Sequence, residues 1–310
     1  MATTLNNSAR LKTFWLLLFI GYSRLIYAAE SLPGEPFQPA ESGFEIVWND
    51  KLEELPETSP YYTASGHRFN QRLIEYFKNA GNFSSESKVT PPDHWESRKD
   101  TEIYDKDSKF LSVFPMTGSL SYNNNQNGSD LSLPEAPDVE TAKELTKKLL
   151  LELGFDLAAL SFDKITFTKE TSTRYDKTTE KAISRTIMTG MSIPRLYEGH
   201  PSNHGGINVS FGLGGVLTNF SICWRDVKLA GLRKVPSREE IVKLTLAGHA
   251  TVMMDAAQNA NKLTIKKISV IYREAEPFKK AGTVDPFLLI KADAEVNGET
   301  ADCTLYLKLQ

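Results

Sequence analysis

The chain has 310 residues, 40% hydrophobic and 24% charged, with a formal net charge of −3. That length and balance belong to a globular protein with room for two or three cores, which excludes disorder as the default state. A mildly acidic chain without a basic stripe also excludes nucleic acid as a partner, because phosphate binding needs clustered Lys and Arg.

Arg10 and Lys12 precede the apolar run Phe14 to Tyr22, and a short segment then ends in Tyr27-Ala28-Ala29-Glu30. Basic, apolar and small-residue regions in that order predict a secretory signal peptide over residues 1–28, cleaved near Ala28 or Ala29. The apolar run is shorter than the ~20 residues a spanning helix needs, and Arg24 interrupts it, so no membrane span is expected after cleavage. Cleavage removes Arg10, Lys12 and Arg24 and no acid, which takes the net charge from −3 to −6. The expected location is secreted or periplasmic. Two cysteines, Cys223 and Cys303, are too few for a disulfide framework, although an oxidising compartment would allow them to pair.

Residues 29–60 hold five prolines around the patch Phe44-Glu-Ile-Val-Trp48 and read as a mostly extended leader with one short strand. An N-terminal lobe is expected over 61–122. Its helix has Phe69, Leu73, Tyr76, Phe77 and Ala80 on one face, with Gly81 as a left-handed cap. A hairpin follows, with Glu102–Tyr104 and Lys109–Phe114 around a turn containing Asp105 and Asp107, and Ser119–Tyr122 is a third strand. Residues 123–137, rich in Asn and containing Pro134 and Pro137, read as a linker.

The C-terminal lobe, 138–310, divides into units at about 138–227 and 236–310. Asp138 caps a helix with Ala142, Leu145, Leu149 and Leu153 on one face and Gly154 at its end. Strand-like runs follow at Lys164–Thr168 and Ala182–Met191. Ile207–Phe211 and Leu217–Trp224 then flank Gly212-Leu-Gly-Gly215 as an antiparallel hairpin. Ser237 and Glu240 form a capping box that opens a helix burying Ile241, Leu244 and Ala247, either stopped by Gly248 or running on to Met254. The runs Leu263–Ile265 and Ile268–Tyr272 alternate in different phases, so Lys266-Lys267 marks a bulge. The last hairpin turns on Asn297-Gly298 between Phe287–Val296 and Thr300–Leu309. Three times a helix precedes antiparallel strands. The predicted fold class is therefore α+β, in tandem units of one amphipathic helix packed on a small antiparallel sheet.

The motifs Gly190-Met-Ser-Ile-Pro194, Gly205-Gly206, Phe211-Gly-Leu-Gly-Gly215, Cys223-Trp-Arg225, Pro236-Ser-Arg-Glu-Glu240 and Ala247-Gly248 occur in that order. Over about residues 138–309 this resembles secreted bacterial proteins built of tandem PepSY-like domains. The resemblance implies a non-catalytic extracytoplasmic module that binds, inhibits or regulates another protein or peptide.

Chemistry-bearing residues are weighed against structural roles. Glu198, His200 and His204 are the metal candidates, but Pro201 and the adjacent glycines place them in a loop whose simpler role is a polar hairpin tip. Asp293 and Glu295 share one strand face and are the candidates for a paired-carboxylate hydrolase, the alternative function. Their simpler role is the wet side of a sheet whose other side holds Ile290, Ala292 and Ala294. Cys223 sits opposite the Phe220, Ile222 and Trp224 face, so a partly exposed or disulfide-bonded cysteine is expected there. Trp48, Tyr61, Tyr62, His94 and Trp95 fall in irregular regions and are candidate binding anchors. No catalytic residue, metal site or cofactor is assigned, and the chain is expected not to be an enzyme.

Overall fold

The computed structural model describes residues 35–40, 43–49, 51–91, 100–125, 132–176, 181–252, 257–276, 279–280 and 282–309. The expected signal peptide, His94, Trp95 and Met254 lie outside them. The strands are β1 (Glu35–Pro36), β2 (Glu45–Trp48), β3 (Thr58–Ser65), β4 (Lys88–Val89), β5 (Glu102–Lys106), β6 (Lys109–Phe114), β7 (Ser119–Asn124) and β8 (Thr166–Asp176). They continue as β9 (Lys181–Tyr197), β10 (His200–Gly212), β11 (Leu217–Cys223), β12 (Asp226–Lys234), β13 (Ala250–Val252), β14 (Lys262–Arg273), β15 (Thr283–Val296) and β16 (Glu299–Lys308). The α-helices among the described residues are α1 (Gln71–Gly81), α2 (Val139–Glu152) and α3 (Arg238–Leu246).

The chain divides into two compact units. One comprises the described residues within 56–235, 270–287 and 309, and the other those within 35–55, 236–269 and 288–308. In the first, eight antiparallel strands run in the order β8, β9, β10, β11, β7, β6, β5, β4. Register places Ile207, Ile222, Leu120 and Val113 in one cross-strand row, and Val209, Phe220, Tyr122 and Leu111 in the next. Leu73 and Phe77 of α1 and Ala142, Leu149 and Leu150 of α2 pack on these rows in a single core. Alternation turns the intervening residues to the other face, where Ser192, Asn208, Ser221, Ser121 and Ser112 stand side by side.

This overturns the expected tandem of one helix on one small sheet. The chain is mostly strand, and α1 and α2 share one broad sheet. Each helix covers too few strands to bury the sheet alone, so the apolar rows draw both onto the same face. The polar segment 123–137 accordingly joins elements of one unit, because β7 pairs with β11 as well as with β6.

In the second unit β1, β13 and β16 pair in antiparallel succession, β15 and β14 follow, and β2 lies parallel to β14. Leu263, Ile265, Leu288, Ile290, Ala292, Ala294, Leu305 and Leu307 are buried there. The expected capping box of α3 is present, with Ser237 N–H donating to Glu240 Oε2 at 2.8 Å and Glu240 N–H to Ser237 Oγ at 3.3 Å. The helix does not run on, since Gly248 at φ 74° ends it and β13 begins two residues later. The predicted turns at Gly214-Gly215 and Asn297-Gly298 all have positive φ.

Local corrections have simple causes. The left-handed cap of α1 is Asn82 at φ 54°, one residue beyond Gly81, which is buried against the Phe83 ring. The leader holds β1 and β2, and β3 runs across its expected end at residue 60, because pairing with β12 supplies the ladder bonds that the proline-flanked sequence conceals. The phase change expected at Lys266-Lys267 is present, both residues being exposed within strand β14.

Candidate functional site

Within the first unit, β9 and β10 meet at Glu198-Gly199, both at positive φ, in a two-residue hairpin turn. Pairing is regular at Pro201 opposite Leu196 and resumes only at Gly206 opposite Pro194. The excess chain, Ser202–Gly205, swings out, and Ser202 and Asn203 pair in parallel with Tyr272 and Arg273 of β14. This excursion brings the end of β14 to the hairpin. Gly205 is required there, because a Cβ at that position would lie 1.8 Å from Glu274 Oε1.

Glu274 and Arg225 form an ion pair at 3.2 Å with side-chain exposures of 0% and 1%. Two desolvated charges hold together only if their remaining hydrogen-bonding capacity is satisfied. Tyr197 OH donates to Glu274 Oε1 at 2.8 Å, and Ser202 Oγ donates to the same oxygen at 3.1 Å. Arg225 Nη1 donates to the carbonyl of Ala275 at 2.7 Å, and Nη2 to those of Glu276 and Lys279 at 2.9 and 3.3 Å. The guanidinium thus clasps the segment that follows β14. Arg195 donates to the carbonyl of Arg225 at 2.7 Å and lies over the ring of Trp224 at 4.3 Å.

Beside this pair, Tyr62, Tyr197 and Tyr272 form a ring cluster with centroids 5.3 to 6.0 Å apart. Tyr62 OH donates to Glu198 Oε1 at 3.3 Å, and the Tyr272 hydroxyl is 3.0 Å from that of Ser59. Burial raises the pKa of all three phenols, aided at Tyr197 by the charge of Glu274, so they remain protonated donors at neutral pH.

His204 lies in the excursion at φ 76° and is buried, and its Nε2 has no hydrogen-bond partner. A left-handed backbone at a non-glycine residue is sparsely populated and costs energy. Burial, and then the charge of Arg273, lower the imidazole pKa to about 4, so the ring is neutral at pH 7. The cluster therefore combines a buried ion pair, whose carboxylate is fully engaged while Arg225 Nε is buried without a partner, with protonated phenols and one uncharged imidazole.

No protein-family model and no curated protein matches the chain. A solved structure similar to it is the crystal structure of an uncharacterized protein from Eubacterium rectale ATCC 33656, with a TM-score of 0.45 and 14% identity over 83% of this chain and 88% of that one.

Among the residues singled out in the sequence, Glu198, His200 and His204 do lie along one hairpin end. Glu198 sits in the hairpin turn and His200 and His204 in strand β10, so the segment is a hairpin end and not an irregular loop. The His200 ring is 6.4 Å from that of Tyr272, and burial followed by the charge of Lys164 lowers its pKa. Among the described residues no group of three or more His, Cys, Asp or Glu side chains is placed to hold a metal ion. Asp293 and Glu295 belong to β15 in the other unit, where Asp293 pairs with Lys266. Tyr61 and Tyr62 lie on β3 and Trp48 on β2, with Arg238 over the Trp48 ring at 5.4 Å. Cys223 corrects an expectation, because it is free and 1% exposed, with its thiol pushed by burial up to about 11.

Arg225 stood in the Cys223-Trp-Arg225 motif but was given no role, and Glu274 went unmarked, since 49 positions separate the two. The one available signal is Glu274 itself, an acid closing the apolar run Ile268–Tyr272. Among the described residues no helix is long and apolar enough to cross a membrane.

Proposed function

We propose that this chain is a non-catalytic, extracytoplasmic binding module that inhibits or regulates another protein. The observation that carries this reading is the commitment of the buried Glu274 carboxylate to partners within the chain. A general acid or base must exchange a proton with substrate. The Glu274 carboxylate is instead committed to Tyr197, Ser202 and Arg225, and the guanidinium to carbonyls of its own chain. Such an arrangement fixes backbone, and a fixed backbone presents a surface. The basic, apolar and small-residue order of residues 1–28 supports export.

The test is capture of a partner from the native envelope or secretome with the purified chain, followed by titration calorimetry. A variant with alanine at His94, His200, His204, Asp293 and Glu295 is expected to bind that partner with unchanged affinity. Loss of binding by a variant that melts like wild type would refute the reading.

The buried, unpaired Nε2 of His204 favours a second reading, a hydrolase using a metal held by His200 and His204. Stoichiometric zinc in protein purified without chelator, lost on His200→Ala plus His204→Ala, would establish that alternative.

A further inference from the structure

Strand β12 pairs with β3 along one side only, and among the described residues no strand lies along its other side. Val235 N–H bonds to Glu57 O, and the carbonyls of Asp226 and Lys228 face the Ser65 and Thr63 hydroxyls of β3. Strand alternation then turns the amides of Val227, Leu229 and Leu232 to the open side. An unpaired row of this kind is a template for another strand, and edge strands are normally kept short, charged or covered. Here the strand has nine residues, and Leu229 and Leu232 are 60% and 63% exposed. Two leucines so placed invite apolar contact alongside the backbone bonds.

Charge indicates which strand would fit. Of the charged residues on β12, Asp226 is paired with His67 at 2.8 Å, and Arg233 lies over Tyr61 and 3.6 Å from Asp285. Lys228 is exposed midway along the strand, so this stretch of the edge offers a cation on a chain of net charge −3. We infer that the open side of β12 is the docking strand of the molecule, and that it takes an extended segment of a partner protein in which aliphatic and acidic residues alternate. Backbone bonds to Val227, Leu229 and Leu232 supply the pairing, the leucines the apolar contact, and Lys228 the preference for carboxylates. This rests on the binding-module reading and gives it a surface and a partner chemistry.

The probe is an acetylated eight-residue peptide of alternating Val and Glu, compared with its Val/Lys counterpart on the full chain. Amide hydrogen exchange is expected to slow across 226–234 with the Val/Glu peptide alone. Leu229→Lys plus Leu232→Lys is expected to weaken binding about tenfold or more, the loss of one strong contact. Leu232→Pro removes an N–H that serves no ladder bond, so it blocks strand addition while the protein melts as before. Should either variant fail to fold, Lys228→Glu serves, and is expected to reverse the preference between the two peptides. Equal affinity across these variants, protection at a different edge strand such as β8 or β4, or self-association that Leu232→Pro abolishes would each overturn the assignment. A captured partner protein that binds Leu232→Pro and Lys228→Glu like wild type would also overturn it, while leaving the binding-module reading in place.

Discussion

At Arg225 the energy lies in what truncation would strand. Removing one member of a buried ion pair leaves an uncompensated charge, which costs about 3–5 kcal/mol. Arg225→Met should therefore lower the urea midpoint sharply, because Glu274 loses its counter-charge and the carbonyls of Ala275, Glu276 and Lys279 lose their donor. A midpoint within error of wild type would mean that the pair is wet in solution. His204 makes a pH prediction. Its folded pKa is about 4 against an ordinary 6.5, so between those values the unfolded chain binds a proton that the folded chain refuses. Stability is then complete above pH 6.5 and falls as pH drops toward 4. Asparagine tolerates the left-handed backbone and does not titrate in this range, so His204→Asn should flatten that slope in denaturant titrations at pH 7, 6, 5 and 4. The two thiols behave more simply. Cys223 and Cys303 are free and buried, with burial pushing their pKa values to about 11 and about 12. A thiol reagent should leave both untouched in the native protein and label both in urea.

Helix ends carry the element-scale predictions. Ser237→Ala removes the acceptor for the Glu240 N–H and should cost about 1 kcal/mol, read as a shift in denaturant midpoint. Asn82 holds φ 54° at the end of α1. Asn82→Ala should cost about 1–2 kcal/mol, the penalty for a Cβ in the left-handed region, whereas Asn82→Gly should be nearly neutral. These caps were legible because their signals are local. Ser237-x-x-Glu240, Asp138 and Asn297-Gly298 each decide the conformation of residues within four positions. For the same reason the cap of α1 was misplaced by only one residue, since Gly81 and Asn82 both tolerate positive φ and tertiary packing of Gly81 against Phe83 chose between them.

Across the whole molecule, what the sequence concealed was partnership. Alternation in Ile207–Phe211 and Leu217–Trp224 shows a hairpin, but nothing within it announces that β7 from beyond an Asn-rich segment will lie beside β11. The same blindness hid β3 in a proline-flanked stretch, turned two helices of one core into two separate units, and left Glu274 unmatched to Arg225. The candidate site was half visible. Glu198, His200 and His204 drew notice through their type, while the residues they adjoin were ordinary tyrosines and an arginine. One consequence is measurable. Because Ser119–Asn124 pairs with Leu217–Cys223, cleavage between 126 and 131 should leave two pieces that co-elute in size exclusion and separate only in denaturant. Release of a free fragment beginning near Asp138 would contradict that pairing.

The two units are interleaved along the chain, the first needing residues 270–287 and the second 288–308. A ribosome makes the chain from one end, so neither unit has its full set of strands until nearly the whole molecule has been synthesised. The α1 hairpin region emerges early with its apolar rows unpaired, and it must wait for β9, β10 and β11 before its core can close. Chains with such late-arriving partners stay unfolded longer during synthesis. That delay makes chaperone dependence during synthesis an expected trait of this topology.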